Sequence, residues 1–175
     1  MNSPGPQNIC SGALVTIPFS GSNNAVFNWT NDNPGIGLGT DGTGNLNFTA
    51  APVTSPQTAT ITVTPRIGPC FGPPVSFTIS VYPPPSAAIA GNTAICRGDT
   101  SMLSASGGSV FSWNTNQNSA LIAVTPAAST TYTVTVSNAA GCSSSATVHI
   151  TVNQPSTPVV LQQSSCNPVD TGVVV

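Results

Sequence analysis

The chain has 175 residues but carries only two arginines, four aspartates and no lysine, for a net charge of −2, and this excludes several classes at once. Two cations cannot build the phosphate-neutralising patch of a nucleic-acid binder, nor the polybasic anchor of a protein held electrostatically at a membrane. A hydrophobic content of 39% still supplies enough apolar surface to fold, and no apolar run approaches the roughly 20 residues of a membrane-spanning helix, so direct membrane insertion is not expected.

In chain order the sequence states one pattern twice, and internal repetition outranks other signals. The first copy has Cys10, Val26-Phe27-Asn28-Trp29, an alternating Thr/Val run at 59–64, Cys70, a second run at 75–82, and Pro83-Pro84-Pro85. The second has Cys96, Val110-Phe111-Ser112-Trp113, a run at 131–136, Cys142, a run at 146–152, and Pro155. Cys166 stands where a third copy would open. The pattern predicts two domains, 1–83 and 84–153, followed by a linker and the first strand of a truncated third repeat at 154–175.

Periodicity of two residues dominates and no stretch has a helical apolar period, which predicts an all-β chain. In 131–136 the side chains of Tyr132, Val134 and Val136 share one face and the threonines the other. In 146–152 the inward set is Ala146, Val148, Ile150 and Val152, which leaves His149 facing solvent. Short strands with turns at Asn33-Pro34-Gly35, Asp41-Gly42 and Gly107-Gly108 read as tandem antiparallel β-sandwiches. Trp29 and Trp113, each on a third strand, are expected at the centres of the two cores, with Tyr132 beside the second. Three consecutive prolines predict a stiff, extended spacer holding the sandwiches end to end.

Five cysteines in a chain this poor in other ligands point to disulfides, because zinc requires Cys or His pairs at close spacing. Repeat symmetry selects Cys10 with Cys70 and Cys96 with Cys142, one bridge per domain, and leaves Cys166 unpaired in this stretch. A bridge joining one repeat to the other would overturn this reading of two self-contained, passive modules in tandem. No metal, cofactor or catalytic residue is expected. General acid–base chemistry needs positioned titratable groups, and His149 has no aspartate near it in sequence. Asp32 and Asp41 flank the glycine-rich loop 35–39, but two carboxylates are few for Ca²⁺, and a turn is the preferred role. Without lysine, an isopeptide cross-link to asparagine is chemically impossible.

The stretch from Ala94-Ile95-Cys96-Arg97-Gly98-Asp99-Thr100 through Phe111-Ser112-Trp113 to Thr130-Thr131-Tyr132-Thr133-Val134-Thr135-Val136 and Gly141-Cys142 resembles the Ig-like repeats of very large Bacteroidota surface proteins. The first copy, with Ile9-Cys10-Ser11-Gly12 and Ile61-Thr62-Val63-Thr64-Pro65, is similar to the PKD-like repeats found beside them. Cys166-Asn167-Pro168-Val169-Asp170-Thr171-Gly172 matches the opening of another such repeat. The resemblance implies secretion by the type IX system, placement on the outer surface of a Gram-negative cell, and a role in SprB-like gliding-motility adhesins. Partners implied are neighbouring repeats of the same protein, surface polysaccharide, or other subunits in a filament.

On that reading the chain is a non-catalytic structural and adhesive segment of an extracellular protein. The opening residues lack the basic and apolar regions of a signal peptide, so it is expected to be an internal or mature stretch. Two alternatives compete. A carbohydrate-binding module of a secreted hydrolase would show a row of exposed aromatics, and burial of both tryptophans would count against it. A filament subunit would use the β-prone end Thr171-Gly172-Val173-Val174-Val175 for strand exchange.

Overall fold

The computed structural model describes residues 3–21 and 24–154. Among them there is no α-helix, and the chain folds as an all-β structure of facing sheets. The first eight strands are β1 (Gln7–Cys10), β2 (Leu14–Ile17), β3 (Val26–Asn31), β4 (Asp41–Thr43), β5 (Leu46–Thr49), β6 (Gln57–Ile67), β7 (Cys70–Phe71) and β8 (Val75–Tyr82). They form a sheet ordered β1-β8-β6-β3-β4, with β7 folded back on β6, and a small facing sheet β2-β5. The remaining seven are β9 (Ala88–Gly91), β10 (Ala94–Cys96), β11 (Ser101–Ser106), β12 (Val110–Trp113), β13 (Leu121–Val124), β14 (Thr130–Ser137) and β15 (Ser143–Asn153). Here β10-β15-β14-β12 faces β13-β11-β9.

Alternation sorts the side chains as the sequence requires. Ala59, Ile61 and Val63 of β6, and Phe77, Ile79 and Val81 of β8, point into one core with Val15, Leu46 and Trp29. Tyr132, Val134 and Val136 of β14 meet Ile150, Val152, Leu103 and Trp113 in another. The intervening threonines and serines form hydroxyl ladders across the outer faces: Thr58 with Ser80 and Thr62 with Ser76, both at 2.9 Å, and Thr135 with Ser145 at 3.1 Å. These pairs hydrate the sheets without charge. Because little of the surface is ionic, the melting temperature is expected to stay the same from low to high sodium chloride, measured by circular dichroism; a marked salt dependence would show that screened charge pairs matter.

One turn and one strand position are corrected. Asp41-Gly42 is not a turn but part of β4, paired so that Gly42 lies opposite Trp29. A side chain at 42 would stand 2.3 Å from the Trp29 ring, so the glycine is there to let the indole lie flat against the strand. Gly42→Ala is expected to cost about 1–3 kcal/mol through overpacking, read by urea denaturation. Trp113, expected on a third strand, lies on the fourth of its sandwich, since β9 adds a strand the sequence reading did not count.

The larger correction concerns the cysteines. The opening strands do not run antiparallel to their neighbours: β1 pairs parallel with β8, Cys10 opposite Tyr82, and β10 pairs parallel with β15, Cys96 opposite Asn153. Cys70 lies just before β8, whose eight residues span roughly 25 Å. Cys10 and Cys70 are thus at opposite ends of the first sandwich, far beyond the roughly 7 Å between Cα atoms that a disulfide spans. The same holds for Cys96 and Cys142, separated by the eleven residues of β15. Neither intra-repeat bridge forms. Cys10 bonds instead to Cys142, with a Cα separation of 5.5 Å. This cross-repeat bridge overturns the expectation of two self-contained, separately bridged modules: the described chain is one covalently closed unit with two cores. Cys166 lies outside the described residues, as does the end 171–175.

Candidate functional site

The chemistry-bearing side chains stay apart. His149 is exposed on β15, its Nδ1 3.1 Å from the Thr131 hydroxyl, and no group of three metal-ligating side chains occurs among the described residues. In the glycine-rich loop, Asp32 accepts the backbone N–H of Thr60 at 2.7 Å and Asp41 accepts the Thr40 hydroxyl. The loop carbonyls of Leu38 and Gly39 are taken by the amide of buried Asn31, at 2.9 and 3.1 Å. Ile36 and Leu38 plug the core. The loop is a lid on the first sandwich, shaped by a buried asparagine that composition gave no reason to single out.

Both tryptophans are buried, as is Tyr132. The Trp113 indole N–H donates to the Ser119 carbonyl at 2.9 Å, whereas that of Trp29 has no partner among the described residues. Their burial counts against a sugar-stacking row. Phe71, at 66% exposed, is the large aromatic left in solvent among the described residues.

What the structure does build is the junction around Cys10–Cys142. Cys10 ends β1 beside Tyr82, where the first sandwich hands the chain to the prolines. Cys142 sits in the hairpin between β14 and β15, and is 2% exposed. Asn138 shapes that hairpin: its Oδ1 accepts the backbone N–H groups of Ala140 and Cys142, both at 3.0 Å. Its Nδ2 reaches across to donate to the Pro83 carbonyl at 3.1 Å. Ser144 donates to the Pro85 carbonyl at 2.5 Å and accepts the N–H of Ala87 at 3.3 Å. Proline carbonyls have no intrastrand partner, so a hairpin offering an amide and a hydroxyl fastens the spacer along its length. The prolines are therefore a docked strap rather than a free-standing rod. Nothing local to Asn138 marks it beyond a turn former, because its second bond is across the junction and leaves no trace in the sequence around it. Asn138→Ala removes three hydrogen bonds and is expected to destabilise the second sandwich by about 1–3 kcal/mol, measured by thermal unfolding.

No protein-family model and no curated protein matches the chain. Solved structures similar to it are distant: murine CEACAM1b, 14% identical over 86% of this chain and 96% of that one with a TM-score of 0.39; a Dscam structure, 13% identical over 87% and 45% with a TM-score of 0.36; and SGBP-B of the Bacteroides ovatus mixed-linkage glucan utilization locus, solved with a heptasaccharide, 16% identical over 83% and 42% with a TM-score of 0.32. The chain thus spans less than half the length of the latter two.

Proposed function

We propose that this chain is a non-catalytic structural and adhesive segment of a long bacterial extracellular surface protein, of the gliding-motility adhesin type exported by type IX secretion. The observation that supports the reading is the tandem of two β-sandwich cores built from one repeated pattern. The cystine between them overturns the expectation of self-contained modules but, with the hydrogen-bonded proline strap, still joins consecutive copies end to end. Disulfides persist in oxidising compartments outside the cytosol, which supports an extracellular, cell-surface setting. A surface of paired hydroxyls and few charges suits exposure to changing salt.

A stalk must resist extension, and the cystine is placed to do that. Pulled from its ends in a single-molecule experiment, the oxidised chain is expected to release no length from residues 11–141, which the bridge shields. After reduction the same pull is expected to extend both sandwiches. Equal extension with and without reductant would mean that the bridge carries no load, and the mechanical reading would fall.

A further inference from the structure

The two cysteines left free among the described residues, Cys70 and Cys96, are both exposed, and the repeat says what they are. Cys96 is the counterpart of Cys10. Each ends a strand paired parallel with the last strand of its sandwich. After each, the next residue donates its N–H to that last strand: Ser11 to Tyr82 at 2.9 Å, Arg97 to Asn153 at 3.1 Å. Each carbonyl then accepts a bond from three residues on, Ala13 to Cys10 and Asp99 to Cys96, around glycines 12 and 98 at φ +79° and +94°. Cys70 is the counterpart of Cys142, both in the hairpin leading to the last strand.

Within the molecule, the first sandwich's opening-strand cysteine is bonded to the second sandwich's hairpin cysteine. We infer that this bond is one link of a relay, in which the opening-strand cysteine of each module bonds the hairpin cysteine of the module that follows. Cys96 is then the outgoing link of this chain and Cys70 its incoming one. The partner of both is another module of the same kind.

The surroundings fit. Cys142 is sealed because 82–85 lie on its hairpin. Among the described residues no segment like 82–85 covers the Cys70 hairpin, and Cys70 is exposed. That hairpin stands open instead. Phe71 and Ile67 are exposed beside a groove of about 330 Å³ lined by Pro65, Arg66 and Cys70, with the Arg66 guanidinium 5.4 Å from the Phe71 ring centroid. The exit strap of a preceding module, like Tyr82 and its prolines, would cover this apolar surface. At the other end, Cys96 lies where β15 releases the chain toward Pro155. Cys166 stands in the sequence where a third copy would open, so the relay makes it the counterpart of Cys96, and a Cys96–Cys166 bond would contradict the relay.

Bond formation consumes two thiols and one glutathione disulfide, and yields the cystine and two glutathione thiols. The inference rests on the repeat-segment reading for its biological setting, but its test reads cystines rather than force, so either can fail alone. The probe for a neighbouring module is a second copy of the chain. Concentrated protein is oxidised in a glutathione buffer and its cystines are mapped by mass spectrometry. In a Cys166→Ser background, a reductant-sensitive ladder with Cys96–Cys70 peptides between copies is expected. Adding Cys70→Ser or Cys96→Ser should abolish the ladder in each case, and mixing the two variants should restore a single dimer. Both sites are exposed, so both variants should melt with the parent. Three results would overturn the relay: Cys96–Cys166 bonding in the unsubstituted chain, dimers formed by either single variant alone, or thiols that stay free throughout.

Discussion

Replacing Cys10 and Cys142 together by alanine is expected to destabilise the second sandwich by about 4 kcal/mol on the chain-entropy model. The sequence separation of 132 residues would suggest a larger loop, but the geometry shortens it. With the first sandwich folded, Cys10 is held beside Tyr82, so the segment that the bridge closes is 83–141, essentially the second sandwich alone. The bridge thus acts on that sandwich as an internal clasp would, although one of its sulfurs belongs to the neighbour. Denaturant unfolding of the oxidised parent should show one transition or two closely spaced ones. In the double variant the transition of the second sandwich, followed by Trp113 fluorescence, should fall well below that of the first. Equal loss in both sandwiches would show that the bridge instead couples them into a single folding unit. The double substitution is preferable to Cys142→Ser, which would bury a hydroxyl in a sealed site.

The difference between what the residues disclosed and what they concealed follows from what alternation encodes. A period of two fixes which face of a strand is buried, so the inward set of β15, the exposure of His149 and the burial of Trp29, Trp113 and Tyr132 were legible. Alternation is the same whichever neighbour a strand takes and whether the pair is parallel or antiparallel. The parallel pairing of β1 with β8 therefore left no mark, and with it went the position of Cys10 at the exit of its sandwich. Repeat symmetry did not rescue the assignment. An array is equally symmetric when each opening cysteine bonds its own hairpin and when it bonds the next one along. Only the length of β8, set between Cys10 and Cys70, decides between the two. Asn138 and Ser144 were hidden for a related reason: asparagine and serine in a hairpin are already accounted for by turn geometry, so a second duty across the junction adds no signal.

The tryptophans occupy matching places in the repeat, yet they should respond differently to the same substitutions. Trp113→Ala is expected to cost about 3–5 kcal/mol, the range for emptying a buried aromatic site, because the ring is 2% exposed and packs among Leu103, Tyr132 and Val134. Trp29→Ala should fall in the same range, since that ring is 9% exposed in a core of comparable character. Phenylalanine separates them. In Trp113→Phe the Ser119 carbonyl loses its donor as well as part of the ring contact. In Trp29→Phe the removed N–H is one with no acceptor among the described residues, so deleting it relieves a desolvated polar group. Measured against the respective alanine variants, Phe should therefore restore more stability at 29 than at 113, by about 1 kcal/mol or more. The comparison holds ring chemistry constant and varies only the fate of one hydrogen bond. Equal rescue at both positions in urea titrations would mean that the Trp113–Ser119 bond contributes nothing net, and that packing volume alone sets the two cores.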